Sequence, residues 1–281
     1  MIKTSTYPCK MIAKDIPGAE GPCVNMRGEF FMVAPNLGQV FRVNESGETS
    51  IFAETGGIPA GLQCDRSNRL WLADMKRGIL SISPEGIVRV ETPEFDGKPM
   101  RGCNDCAFDS RGNLYVTAPA GSGKDAPNGE VFCRKNNGEL VLLDGGFQFC
   151  NGIAVNADDR ILIVAETLTR WLWAYDILAP GKVANKRKWA QLVDVEGGLG
   201  PDGLDFDSAG NLLAAYWGGG SLDVFNPAGE LIERIMLPFK APSNLHFGGR
   251  GSRTIYVTEH DSNGLWKLEW ERDGQPQFCE R

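Results

Sequence analysis

The chain has 281 residues, 42% of them hydrophobic and 23% charged, with a formal net charge of -7 and a pI near 5.1. That balance excludes the basic face expected of a nucleic-acid partner, and no apolar run is long enough to cross a membrane. The 35 glycines point to many turns rather than long helices.

Residues 1–22, MIKTSTYPCKMIAKDIPGAEGP, lack the apolar core of a signal peptide. The eight cysteines are Cys9, Cys23, Cys64, Cys103, Cys106, Cys133, Cys150 and Cys279. Most fall inside apolar strand patterns, as reduced thiols of a cytoplasmic protein do. Cys103 and Cys106 form a C-x-x-C, yet no second pair completes a zinc site and no βαβ context supports a redox motif.

From residue 25 onward one pattern recurs: a turn residue, a few polar residues or Gly, then an apolar strand. Its copies begin at Asn25 (NMRGEFFMVAP), Asp65 (DRSNRLWLADM), Asp109 (DSRGNLYVTAP), Asn156 (NADDRILIVAET), Asp207 (DSAGNLLAAYW) and, more loosely, Gly249 (GRGSRTIYVTEH). Each copy is followed by a strand, a turn and another strand, from GQVFRVNESGETSIFA in the first unit to GLWKLEWERDGQPQFCE in the last. No segment shows sustained helical periodicity. Six such units predict an all-β chain: one six-bladed β-propeller over residues 1–281, with four-stranded antiparallel blades around a central tunnel. A monomer is expected, on the argument that a closed propeller leaves no sheet edge free to pair.

Five residues before each turn stand Glu20, Ala60, Asn104, Asn151, Asp202 and Asn244. Asn and Asp are common at strand starts, which accounts for one or two of these. It does not account for Glu20, nor for an acid or amide recurring at one register. Oxygen-rich side chains converging on an axis suit a hard cation, and Glu20 and Asp202 match the charge of Ca2+, with Asn104 and Asn151 as neutral donors. Zinc is disfavoured because both histidines lie in the last unit and no thiolate falls on the ring.

The runs DIPGAEGP, GGIPAGLQCD, RGCNDCAFDSRGNLYVTAPAG, FQFCNGIAV, LIVAET, PDGLDFD, APSNLHF and IYVTEH resemble the diisopropyl-fluorophosphatases from Asp15 to Cys279. These are calcium-dependent phosphotriesterases of the wider gluconolactonase and regucalcin-like superfamily. The resemblance implies a catalytic calcium on Glu20, Asn104, Asn151 and Asp202. It implies a second, structural calcium on Asp205, the carbonyl of Leu245, and His246. It also implies a small-molecule substrate, an organophosphate triester or, in the wider superfamily, a lactone. The chain departs from the family in a short loop after Gly121, in Cys150 where a proline precedes the Asn ligand, and in Tyr216 before Trp217. Those changes touch the pocket rim.

The same resemblance makes Asp202 the nucleophile on phosphorus, or alternatively the base that activates water. Asp105 follows the expected ligand Asn104, and can approach the metal or bond a neighbouring blade. His260, in VTEH, matches a family histidine close to the pocket. Phe149 and Trp217 are expected as apolar walls, or else as packing between blades. Thr167, Ser243 and Asn244 are expected as polar groups on the rim. A Ser-His-Asp triad is excluded, because no G-x-S-x-G is present.

Overall fold

Each apolar run of the repeat is a strand buried on both faces. In Phe30–Ala34, Phe31 and Val33 pack with Leu62, Leu70 and Leu72, while Phe30, Met32 and Ala34 pack the other way, with Ala13, Ile16 and Leu265. Successive strand residues point to opposite faces. A sheet held between two neighbours therefore needs apolar residues at nearly every position.

The computed structural model describes residues 2–100, 102–119 and 121–281. It arranges the strands as a six-bladed β-propeller. Blade 1 runs outward through Glu20–Val24, Phe30–Ala34, Gln39–Val43 and Thr49–Glu54. Blade 2 follows with Pro59–Cys64, Leu70–Asp74, Gly78–Ile82 and Val88–Thr92, and blade 3 with Cys106–Phe108, Leu114–Ala118, Gly129–Arg134 and Leu140–Phe147. Blade 4 comprises Cys150–Val155, Ile161–Glu166, Trp171–Ala179 and Lys182–Gln191. Blade 5 comprises Gly200–Phe206, Leu212–Trp217, Ser221–Phe225 and Leu231–Met236. The inner strands touch in cyclic order, and that of blade 6, Pro242–Phe247, returns to that of blade 1. Six apolar clusters, one at each blade junction, form the core of the described residues. Each fully buried Leu or Phe there contributes about 1.5–3 kcal/mol.

Two expectations are corrected. The last strand of blade 6 is not GQPQFCE. After Thr254–Glu259 and Gly264–Glu269, the sheet is completed by Lys10–Ala13 from the start of the chain. The two ends of the chain thus share one blade, and their pairing closes the ring. Lys3–Thr6 adds a parallel fifth strand to blade 5. Second, ring closure does not remove edges, since among the described residues the outermost strand of each of blades 1 to 4 keeps one side unpaired. On blade 4 that long edge carries Lys182, Lys186 and Lys188, charges that discourage edge-to-edge pairing.

The turn residues of the repeat behave as their chemistry dictates. Asp109 Oδ1 accepts the N–H groups of Arg111 and Asn113, both at 2.9 Å. Asn25, Asp65 and Asp207 make the same pair of bonds, and Asn156 a close variant. These side-chain turns deliver each inner strand into the second strand of its blade.

Candidate functional site

Hydrogen-bonded pairing sets the register of the inner strands. The first residue of each turn bonds the carbonyl that closes it: Asn25 to Glu29, Asp65 to Arg69, Asp109 to Asn113, Asn156 to Ile161, Asp207 to Asn211, and Gly248 to Thr254. Five residues earlier stand Glu20, Ala60, Asn104, Asn151, Asp202 and Ser243. In blade 6 this shifts the expected position by one residue. Phe247 pairs with Ile255 across a longer turn than the one joining Val24 to Phe30, so Ser243 rather than Asn244 stands level with the others.

Asn244 occupies the next position, which blades 1, 2, 4 and 5 fill with Gly21, Gly61, Gly152 and Gly203 and blade 3 fills with Asp105. Asp105 and Asn244 are therefore counterparts on opposite blades. Each accepts the N–H of its following residue on Oδ1 at 2.8 Å, Cys106 in one case and Leu245 in the other. The glycines leave room for them: a Cβ on Gly61 would lie 2.5 Å from Asp105 Oδ1, and one on Gly203 would run into the Asn244 side chain.

Behind each doublet stands a threonine that sequence reasoning did not single out. Thr117 and Thr258 sit where the second strands of the other blades carry Val33, Ala73, Ala165 and Ala215. Buried Thr117 accepts the N–H of Asp105 at 3.0 Å and donates to the carbonyl of Asn151 at 2.7 Å, while its own carbonyl accepts the N–H of Asn104. Thr258 lies 2.9 Å from the Ser243 hydroxyl, which also reaches the carbonyl of Ala19 at 2.8 Å. One hydroxyl in each case ties adjacent blades together. Neither has a local sequence pattern that would announce it.

The ring concentrates negative charge away from water. Burial raises the carboxyl of Glu20 well above the usual range, and repulsion from Asp105 adds to it. Burial, then repulsion from Glu20 and Asp105, raises Asp202 likewise, opposed only by the Asn151 amide. Asp105 is pushed up to about 7, chiefly by burial, against hydrogen bonds from Cys106 and Ile153. Acids so placed either hold protons or take a cation.

Of the other expected residues, Thr167 and His260 contact members of this group and Trp217 contacts His260. Asn151 donates to Thr167 Oγ1 at 3.2 Å, and Thr167 donates to the carbonyl of Pro201 at 2.8 Å. Trp217 Nε1 donates to His260 Nδ1 at 3.2 Å. Burial lowers the pKa of His260, and its Nε2 stands 3.6 Å from Glu20 Oε1 with no hydrogen-bond partner among the described residues. Phe149 takes a left-handed backbone conformation, φ 69°, and its N–H is held by Ser122 from the short loop. Ser122 is a further contact that the sequence did not reveal.

Further along the same inner strands lie Asp205, Leu245 and His246. Asp205 accepts the N–H of Phe206 at 2.8 Å and of Phe247 at 3.1 Å, and Gln277 Nε2 contacts both carboxylate oxygens. His246 Nδ1 stands 3.6 Å from Asp205 Oδ2. Burial lowers His246 to about 4 and raises Asp205 to about 6. A neutral imidazole keeps one lone pair for a ligand.

Among the described residues no three His, Cys, Asp or Glu side chains stand together as a metal cluster. The ring offers two carboxylates and two amides instead, an all-oxygen set with uncompensated charge, which fits a hard divalent cation. The described cysteines are free thiols, and burial raises Cys103 and Cys106 above the ordinary thiol range, so the C-x-x-C is inert core. No described helix is long and apolar enough to cross a membrane.

The profile described as "SMP-30/Gluconolactonase/LRE-like region" matches residues 19–261. The chain is 43% identical to the diisopropyl-fluorophosphatase of Loligo vulgaris, over 96% of this chain and 94% of that one. It is 27% identical to the gluconolactonase of Zymomonas mobilis, over 90% and 80%. Among solved structures, a regucalcin from Agrobacterium tumefaciens, 18% identical, superposes with a TM-score of 0.85 over the full length of both chains.

Proposed function

We propose that this chain, which belongs to the SMP-30/gluconolactonase/LRE-like family, is a calcium-dependent hydrolase that cleaves the phosphorus–fluorine or a related bond of organophosphate triesters. The observation that carries this reading is the ring itself: Asp202 is buried, Glu20 is largely so, and burial together with repulsion among Glu20, Asp105 and Asp202 raises both carboxyls. The 43% identity to a diisopropyl-fluorophosphatase supports the substrate class.

In this reading Glu20, Asn104, Asn151 and Asp202 hold the catalytic Ca2+ in an axial tunnel, and Asp205, the Leu245 carbonyl and His246 hold a structural one. Bound there, the catalytic ion supplies Lewis-acid polarisation of the phosphoryl oxygen. Asp202 attacks phosphorus with its free carboxylate oxygen, fluoride leaves, and water then hydrolyses the phosphoenzyme; in the competing scheme Asp202 takes the proton of an attacking water. Asp105 stays behind the ring, tied to Cys106 and Ile153, and keeps the site anionic. Trp217 orients His260 toward Glu20, and Phe149, Thr167, Ser243 and Asn244 line the approach. We take the enzyme to be a single-domain, cytoplasmic monomer.

A lactonase is the second reading. The short loop after Gly121 and the match to a gluconolactonase favour it, and the same ring would polarise a lactone carbonyl. Assay of a dialkyl fluorophosphate and a panel of sugar lactones, with calcium and after chelation, decides between them. No turnover of either class in calcium would remove the enzyme reading. A single turnover in 18O water separates the two roles of Asp202. Solvent label appearing in the Asp202 carboxylate, with unlabelled oxygen in the product, supports direct attack followed by water at the carboxyl carbon, and label confined to the product rules that route out.

A further inference from the structure

We propose that the C-terminal segment Gly274–Arg281 is a clasp that closes the turn end of the propeller, and that Gln277 is a positioning residue for Asp205. The segment follows the last strand, forms no blade of its own, and touches all six blades. Gly274 bridges to Asp207 and donates to the carbonyl of Ser252, in blades 5 and 6. The N–H of Gln275 reaches the carbonyl of Phe206, and its buried side chain reaches the carbonyl of Val155 in blade 4 at 2.9 Å. Phe278 stacks on Phe108 of blade 3, with ring centroids 4.8 Å apart, beneath the guanidinium of Arg66 from blade 2. Cys279 joins Cys23 and Cys64 in the core between blades 1 and 2. Arg281 donates to the carbonyl of Ala157 at 2.9 Å.

A short peptide that only filled space would not need inward-pointing amides, Gln275 buried and Gln277 half-buried. Gln275 and Gln277 both bring donors into the ring, and Gln277 Nε2 straddles Asp205 at 3.2 Å from Oδ1 and 3.4 Å from Oδ2. Phe206 and Phe247 fix one oxygen each from the strands. Gln277 spans the two and so sets the plane of the carboxylate. Outer hydrogen bonds of this kind orient a ligand carboxylate, and their loss typically weakens metal binding about 10–100-fold. The clasp stands on packing alone; the role toward calcium rests on the reading of Asp205, Leu245 and His246 as a second cation centre.

The test compares Gln277→Leu with Gln275→Leu in the full chain. Each chelated protein is titrated with CaCl2 by calorimetry, and amide exchange is followed at Phe206 and Phe247. Gln277→Leu should weaken one of two calcium sites about 10–100-fold, leave the other within about threefold, and speed exchange of both amides about tenfold or more. Gln275→Leu should lower thermal stability, with both affinities and both amides near the parent values. Parent-like exchange and affinities in Gln277→Leu would overturn the proposal. So would a parallel loss at both sites in the two variants, which would make the segment merely structural. If the parent binds no calcium at a second site, the cation reading fails by itself. Exchange at Phe206 and Phe247 then decides the positioning role, and unchanged rates end it.

Discussion

The two ends of the inner strands carry the same kinds of side chain and use them in opposite ways. At the turn end Asp109 and Asp207 are as deeply buried as Asp105 and Asp202 at the ring end. Asp109 and Asp207 give one oxygen to two backbone N–H groups within four residues, and the other to the amide of Asn113 or Asn211 at 2.7 Å. Glu20 has a single backbone donor, its neighbour Gly21, at 3.2 Å. Asp202 is opposed by repulsion on two sides. A buried acid whose lone pairs are filled by its own turn holds the fold together; one left unfilled is available for chemistry.

That contrast can be broken at either end. The largest effect is expected for Asp202→Asn, which should cut turnover of the responsive substrate about 10³-fold or more, with no loss of stability in the calcium-free protein. Retention of a tenth of the activity would remove Asp202 from its role. Glu20→Gln should weaken calcium binding at the ring by about 100-fold in a calorimetric titration, and an unchanged affinity would take the ring apart as a cation site. At the turn end Asp109→Ala strands two or more buried donors. It should cost about 2–3 kcal/mol by denaturant midpoint while calcium affinity stays at the parent value.

Acidity offers a fourth test. Asp105 and Asp205 hold protons in the folded chain up to about 7 and about 6, while in the unfolded chain they ionise near about 4. Between those values the folded state binds more protons, so its stability falls as pH rises through that window, by up to about 1.4 kcal/mol per pH unit for each group. In chelator this component should be present in the parent, reduced in Asp105→Asn, and absent once calcium is added. Identical pH profiles for parent and variant would refute it. The smallest effect is expected for Thr117→Val, about 1 kcal/mol by thermal midpoint, since the shape is kept and one hydroxyl that joins blades 3 and 4 is lost.

Much of this was legible in the sequence because the repeat is written in local chemistry. Asn25, Asp65, Asp109, Asn156 and Asp207 mark turns by their own side-chain bonds, and the apolar runs after them mark sheets covered on both faces. Counting back from those turns put Glu20, Asn104, Asn151 and Asp202 at one register, and the hydrogen-bonded turns keep that register. It missed by one residue in blade 6, where the turn around Gly249 lengthens and Gly248 replaces a side-chain anchor. The strands Lys3–Thr6 and Lys10–Ala13 were invisible, being short, half-exposed and outside the repeat. Thr117, Ser122 and Gln277 matter through partners 34, 27 and 72 residues away, and no periodicity reports a contact of that span.

By itself, then, the sequence determined that six equivalent sheets would form, and that Glu20, Asn104, Asn151 and Asp202 would share one register, because both follow from turn chemistry and hydrophobic pattern within each unit. Only the tertiary structure decided which residues face one another: Asp105 opposite Asn244, Ser243 level with Glu20, the first strands closing the last blade, and Gln277 on Asp205. Those relations depend on closing a ring between distant segments. Closure is settled by hydrogen-bonded register and close packing across blades, neither of which any single repeat contains.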